Sequence, residues 1–331
     1  MKYKQKSGRF STVSRVFTNP LFLIMFIFLC FYAFSVLFAL GWGLMTSVKE
    51  RVDFLSRGPL AWPDWSYWDL NKGNPNYLNY DNPLGNYTKI LNEAEIQRIS
   101  SWVKGWGNHT EKVLKVAKLN MADYIWNSLL YAGVASVLRV TGPCIVGYLC
   151  SKYKYKFSSI VYTYVIFVMV TPIIGTTTAM LNLVKQFGLY DNWFGLFIRS
   201  FGFGGMYFLV FYAFFESASD SYAEAAEIDG ASQFSVLFTI YIPLAMTMIG
   251  TVVLLNFVSA WNDYNTSLMY MPTHLTLSYA IWYFSSSGAS HNDSVPFRIS
   301  AVMVLAIPIL ILFIAFKDKL MGNLSLGGVK E

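Results

Sequence analysis

Four carboxylates, Asp220, Glu224, Glu227 and Asp229, crowd the stretch Ser217–Leu244, which contains no Lys or Arg. The whole chain carries a formal charge of +6, so this segment runs against its surroundings. Carboxylates can serve acid–base chemistry, hold a metal or dock a basic surface. The first two lack their usual companions. His109, His274 and His291 are scattered through loops, and no His/Glu metal motif or nucleophile–base pairing stands out. Cys30, Cys144 and Cys150 lie in or beside apolar runs without metal-ligand spacing, so buried, reduced thiols are expected. No catalytic and no metal-binding residue is expected. Docking of a basic protein surface is what remains.

Composition says what must position these groups. Of 331 residues, 55% are apolar and only 13% charged, against roughly 25% charged in soluble domains. Several apolar runs reach about 18 residues, enough to cross a bilayer as a helix. The expected fold is an all-α integral membrane protein with six transmembrane helices. A basic tail, 1–19, precedes span 1 at 20–48. A polar insertion rich in Trp, Asn, Pro and Gly fills 49–121, and its second half, near Glu93–Lys118, has helical spacing. Span 2 covers about Tyr124–Cys150 and is expected to break at Gly142-Pro143. Span 3 covers about Phe157–Val184, with a re-entrant or interfacial piece after it. Span 4 covers about Ser200–Phe215, span 5 Pro243–Met271 and span 6 Ile299–Phe316, leaving a tail at 317–331.

Six spans place both termini on one side. That side carries 11 Lys and Arg in short segments, against 3 opposite. The positive-inside rule makes it the cytoplasm of a bacterial cell membrane and the insertion extracytoplasmic. Lys49, Arg51 and Arg57 at the outer end of span 1 argue mildly the other way. The excess of Lys and Arg orients helices and gives no reason to expect nucleic acid. The acidic stretch thus lies where positive charge is the default, and topology does not explain it.

Within it, Ser221-Tyr-Ala-Glu224 has the form of a capping box at a helix start. Ala223, Ala225 and Ala226 carry the helix on and allow close approach, and Glu224 and Glu227 share a face. Asp229-Gly230 breaks the helix, because Gly accepts left-handed geometry. A second helix, about Ala231–Tyr241, leads to Pro243 in the first turn of span 5. The expected product is a cytoplasmic helix–turn–helix.

Glu224-Ala225-Ala226, Gly230, Ile240 and Pro243 at these spacings resemble the EAA loop of ABC importer permeases. "NSLLYAG" (Asn127–Gly133), "SAWNDY" (Ser259–Tyr264) and the terminal "LSLGGVKE" resemble the carbohydrate-uptake, MalG-type branch. Ile242 replaces the usual Leu before Pro243, and the insertion matches nothing in the branch. The resemblance covers about 120–331 and span 1. It implies that Glu224, Ala225, Ala226, Asp229, Gly230, Ile240 and Pro243 couple the chain to an ATPase. The chain has no G-x-x-x-x-G-K-[ST]. ATP and Mg would therefore sit on two partner ATPase subunits, and no cofactor on this chain. Further implied partners are a second, homologous permease, as a heterodimer, an extracytoplasmic solute-binding protein and membrane lipid. The cargo would be a sugar or oligosaccharide. A non-sugar solute and an ion-coupled secondary transporter are the alternatives, although no internal repeat supports the latter.

Four residues in the spans invite a transport role. Trp261, Asn262 and Asp263 either line the translocation path or bind neighbouring helices and cap the end of span 5. Arg139, at mid-span, either faces the cavity or a subunit interface, with Asp263 a candidate partner, or snorkels to the interface. The aromatics Trp62, Trp65, Tyr67 and Trp68 suit either an interfacial belt or a docking surface for a binding protein.

Overall fold

The computed structural model describes residues 20–69, 84–93, 96–106, 109–171, 175–286 and 294–324. The N-terminal tail, the end of the C-terminal tail, Pro172 and His291 fall outside these residues. The chain divides into two compact units, one formed from 1–88 with 291–303 and the other from 89–290 with 304–331.

The first unit contains α1 (Pro20–Ser47), α2 (Arg51–Arg57) and α3 (Ser66–Asp69). Of the charges after α1, Lys49, Glu50 and Asp53 are buried, while Arg51 and Arg57 stay exposed. The Lys49 side chain is buried and donates to the Gly58 carbonyl at 3.1 Å. Arg57 pairs with Asp64 at 3.0 Å. Asn86 donates to the carbonyls of Ser47 and Lys49, closing the turn after α1. Gly43 lets α1 approach Met303, whose Cε would lie 2.5 Å from a methyl at that position. Trp62 and Trp65 are exposed. Cys30 is exposed on α1, contrary to the expectation of three buried thiols, because it belongs to the outward surface of an apolar helix.

Helix α4 (Gly85–Glu93) begins in the first unit and ends in the second, which continues with β1 (Ile96–Trp106) and β2 (His109–Leu119), followed by α5 (Met121–Lys152), α6 (Lys156–Val170), α7 (Thr176–Gln186), α8 (Trp193–Ser200) and α9 (Met206–Ser217). Then come α10 (Ser221–Ile228), α11 (Gln233–Val236), a π-helical segment Leu237–Tyr241, α12 (Ile242–Trp261), α13 (Tyr264–Tyr270), α14 (Leu277–Ser286) and α15 (Val295–Leu324), of which the part up to Met303 belongs to the first unit. Among the described residues, four helical stretches are long and apolar enough to span a membrane: Pro20–Ser47, Met121–Lys152, Gln233–Trp261 and Val295–Phe316. Two shorter apolar helices are Lys156–Val170 and Met206–Ser217.

Three expectations are corrected. The molecule is mostly helical but not all-α: the segment read as helical near 93–118 forms an antiparallel hairpin, with Ile99 opposite Val116 and Trp102 opposite Val113. Lys112, Lys115 and Lys118 have the i, i+3 spacing of a helix. Exposure instead alternates residue by residue from Lys112 to Leu119, as a strand requires. Trp102 and Lys115 turn to one face; Ile99, Leu114 and Val116 stay exposed on the other. Second, α5 runs unbroken through Gly142-Pro143. Pro143 forfeits one helical hydrogen bond, yet tertiary packing holds the helix. A methyl at Gly142 would sit 2.1 Å from the Gly202 carbonyl oxygen, and one at Gly147 would sit 3.0 Å from Phe211 Cβ. Third, span 3 stops early. Thr171, just before Pro172, is extended (φ −79°, ψ 117°), as a residue preceding proline prefers. A new helix starts after Gly175, whose φ is +84°.

The core of this unit gathers Val140, Cys144 and Tyr148 from α5, Phe211 and Phe215 from α9, and Tyr241, Ala245 and Val252 from the π segment and α12.

Candidate functional site

The acidic stretch folds as a hook. Its helix α10 begins one residue earlier than a capping box at Ser221 requires. Asp220 is the N-cap, and no side chain caps the helix. The C-terminus is a Schellman turn: Gly230 N–H bonds the Glu227 carbonyl at 3.0 Å, and Ala231 N–H bonds the Ala226 carbonyl at 2.9 Å. Gly230 adopts φ +85°, in the left-handed region. Beyond the turn, Ser232 caps α11 by accepting from Ser235 N–H.

The helix after it carries Ile240 and Pro243 through an unusual register. Over Leu237–Tyr241 the backbone bonds i to i+5, and Ile242 N–H reaches the Leu237 carbonyl. Pro243 has no N–H, and its ring crowds the carbonyl four residues back, so a wider π turn ahead of it relieves both problems. Pro243 stands in the first turn of α12, as expected, and the π segment joins that helix to α11 in one apolar stretch, Gln233–Trp261.

Ala223, Ala226, Ala231 and Ile240 pack against the buried cluster around Tyr148 and Tyr241. Glu224, Ala225 and Asp229 face outward. Beside them stand exposed apolar side chains that the acidic pattern did not advertise: Tyr222, Ile228, Phe234 and Phe238, with Ile228 86% exposed. The outward surface is apolar with an acidic rim.

Polar contacts tie the hook to the end of α5. Lys152 Nζ lies 2.6 Å from Asp220 Oδ1, donates to the Ala218 carbonyl at 2.6 Å, and sits 5.2 Å from the Tyr241 ring centre. The hydrogen bond and charge of Lys152 hold the Asp220 carboxyl below the usual carboxylate range. Tyr153 donates to Gln233, which donates to Glu227. Sequence reasoning missed Lys152 as a clamp; its signal was a basic residue at a helix end facing an all-acidic loop.

The far end of α12 lies about 30 Å along the helix from the hook, at 1.5 Å per residue. Here the other candidate residues separate. Trp261 is only 2% exposed, stacks with Phe257 and donates its indole N–H to the Leu305 carbonyl at 3.1 Å. In this conformation it is a packing anchor. Asn262 is exposed and bonds back to the Val258 carbonyl. Asp263 caps α13, accepting from Thr266 N–H at 3.0 Å.

Arg139 and Asp263 do meet, but through a third residue. Arg139 Nη2 donates to Tyr131 Oη at 2.9 Å, and Tyr131 Oη donates to Asp263 Oδ2 at 3.0 Å. The Arg139 side chain climbs two turns toward the helix N-terminus, the direction helical side chains lean. Thr266 extends the chain of contacts to Arg199, whose Nη2 donates to Thr266 Oγ1 at 3.3 Å. Tyr131, within "NSLLYAG", and Arg199 were not foreseen. A tight recess lined by Tyr131, Trp193, Thr266, Ser267, His274 and Thr276 adjoins them, too small to hold a water.

Nearby, Asp191 joins the hairpin to the bundle. Its carbonyl accepts from Lys115 Nζ at 2.7 Å, and its buried carboxylate accepts from Thr273 N–H at 3.1 Å and Thr273 Oγ1 at 2.7 Å. Burial pushes this carboxyl up, but hydrogen bonds from His274 and Thr273 and the charge of Lys115 outweigh it and leave the pKa lowered. Trp102 packs edge-on against Tyr190 at 4.9 Å.

Comparison with known proteins gives the family and the fold. The family described as "Binding-protein-dependent transport system inner membrane component" matches residues 144–324. A putative ABC transporter permease protein, ORF2, of Caldicellulosiruptor sp. (strain Rt8B.4) is 27% identical over 247 residues, covering 74% of this chain and 89% of the relative. The melibiose/raffinose/stachyose import permease protein MelC of Bacillus subtilis (strain 168) is 24% identical over 217 residues, covering 64% and 78%. The fold is that of a chain in the crystal structure of a bacterial ABC transporter involved in import of the acidic polysaccharide alginate, with a TM-score of 0.62, 18% identity and coverage of 96% and 99%. The family match takes in more than half of the chain and both helices that flank the hook, and this protein belongs to the binding-protein-dependent transport system inner membrane components, as a transport subunit and not an enzyme.

Proposed function

We propose that this chain is one permease subunit of an ATP-driven importer of a sugar or oligosaccharide. The observation that carries the reading is the hook: an exposed acidic and apolar surface, turned by Gly230 and clamped to α5 and α12. Such a surface fits a cleft on a partner that is basic at its rim and apolar at its floor. Glu224 and Asp229 supply the rim contacts, Ile228 and Phe234 enter the cleft, and Ala225 admits close approach. The π segment and Pro243 pass the movement of the hook into α12.

Six spans with both termini cytoplasmic put the hook inside and the hairpin outside. Two ATPase subunits bind ATP and Mg, a second permease completes the pathway, and a solute-binding protein delivers cargo. The names of both relatives support the permease reading, and the sugars in the name of MelC support the substrate class. Arg139, Asn262 and Asp263 belong to the outer part of the path, with Trp261 as the packing support behind them.

In the assembled importer, Glu224→Lys abolishes ATP-driven uptake, while membrane insertion and pairing with the second permease persist. Normal uptake by this variant removes the docking assignment.

A further inference from the structure

Arg199 is a surplus cation. It closes α8 with its guanidinium 4.3 Å from the Tyr270 ring centre and Nη2 on the neutral hydroxyl of Thr266 at 3.3 Å. Its Nε is buried and has no hydrogen-bond partner. Among the described residues no carboxylate lies within salt-bridge distance of it. The nearby carboxylates are already engaged. Asp263 accepts from Thr266 N–H on one oxygen and from Tyr131 on the other, and Tyr131 in turn holds Arg139. Asp191 is engaged by Lys115, Thr273 and His274. Two guanidiniums and one carboxylate thus share one chain of hydrogen bonds.

The geometry of the surplus is specific. Nε and the neighbouring Nη of arginine form the side-on fork that grips a carboxylate or sulfonate with two parallel bonds. In Arg199 one prong is empty and the other holds only a long bond to a hydroxyl. Arg199 as a whole is half-buried, but its Nε is shut off from solvent, and a donor left in this state is costly until an acceptor reaches it. Thr266, which holds Arg199, also lines the adjoining recess with Tyr131, Trp193, Leu196, Ser267, Met271 and Thr276; in the closed recess the Ser267 and Thr276 hydroxyls bond each other.

We infer that Arg199 is a specificity residue that receives an anionic group, carboxylate or sulfonate, carried by the sugar cargo as the recess opens. This rests on the importer reading given above and narrows its cargo to acidic sugars. An acidic side chain of the second permease filling the same fork is the competing occupant, which the test separates.

The test uses the complete importer, with both permeases, the ATPases and the binding protein, in proteoliposomes. Uptake is measured for neutral oligosaccharides and for matched ones bearing a uronic acid or sulfonate. The expected result is ATP-driven uptake of an acidic sugar. Arg199→Gln raises its KM about tenfold, equivalent to about 1.4 kcal/mol, and Arg199→Lys restores part of the loss. A merely structural defect would leave KM in place and lower the maximal rate for every cargo, and that outcome overturns the assignment. ATP-driven uptake of neutral sugars only also overturns it, leaving the importer reading intact. If the second permease fills the fork, Arg199→Gln releases that subunit without changing cargo preference, which again overturns it. Absence of ATP-driven uptake of any sugar removes the importer reading and this inference together.

Discussion

The two ends of α12 are built on different rules. At the hook end, the geometry is local: a Schellman turn, a glycine at φ +85° and a π turn before Pro243 shape a surface whose side chains mostly face out. At the other end, geometry is non-local. Tyr131, Asp263, Thr266 and Arg199 come from segments as much as 132 residues apart and bond to one another rather than to solvent. The hook is shaped by its backbone and leaves its charges available to a partner. The far end spends its charges on holding helices together, apart from Arg199. A coupling lever needs the first design, and a gate around a pathway needs the second.

The comparison breaks most severely at Gly230. Gly230→Pro cannot adopt positive φ and loses the bond to the Glu227 carbonyl, so about 3 kcal/mol or more of local stability goes. The expected outcome is loss of uptake with limited proteolysis appearing at 228–232 while the spans stay intact; a protease-resistant hook with normal uptake contradicts a backbone-determined shape.

At the opposite end, Tyr131→Phe removes one oxygen that serves both Arg139 and Asp263. Taking a hydrogen bond from each of two half-buried partners costs about 1 kcal/mol or more. A lowered melting temperature of the detergent-purified subunit pair is expected, and an unchanged one shows that water or the second subunit replaces the hydroxyl. The smallest effect belongs to Asp220→Asn. The clamp is exposed on the Asp220 side and Lys152 keeps its bond to the Ala218 carbonyl, so uptake stays at the parental level at pH 7. Because the folded Asp220 pKa is depressed, the contribution of the ion pair is complete above the unfolded value, about 3.9, and disappears only as pH falls through the lower folded one. Uptake that differs between parent and variant across pH 5–8 argues for a larger role of the clamp.

The same contrast explains what the sequence disclosed. Gly230, the alanines and the acidic side chains announce a helix and its stop within a dozen residues, because turn chemistry is local. Tyr131 and Arg199 give no such signal, since their meaning depends on partners far along the chain. The hairpin was hidden by lysines at helical spacing, though Gly107-Asn108 between the strands is a hairpin dipeptide. Thr171-Pro172 and Gly142-Pro143 show two outcomes of similar chemistry. At the first, the residue before proline turns extended; at the second, the packing of Gly142 and Gly147 against facing chain keeps the helix whole.

Asn120 joins β2 to α5 with no spare residue between them: it caps the helix through a reciprocal pair of bonds with Asp123. Strand and span are thereby welded into a single rod. An eleven-residue strand is about 36 Å long at 3.3 Å per residue. Rocking α5 by about 5° would, by that length, sweep the hairpin tip through about 3 Å. The hairpin is then a long arm on α5, and a small tilt of that helix is enlarged at its tip.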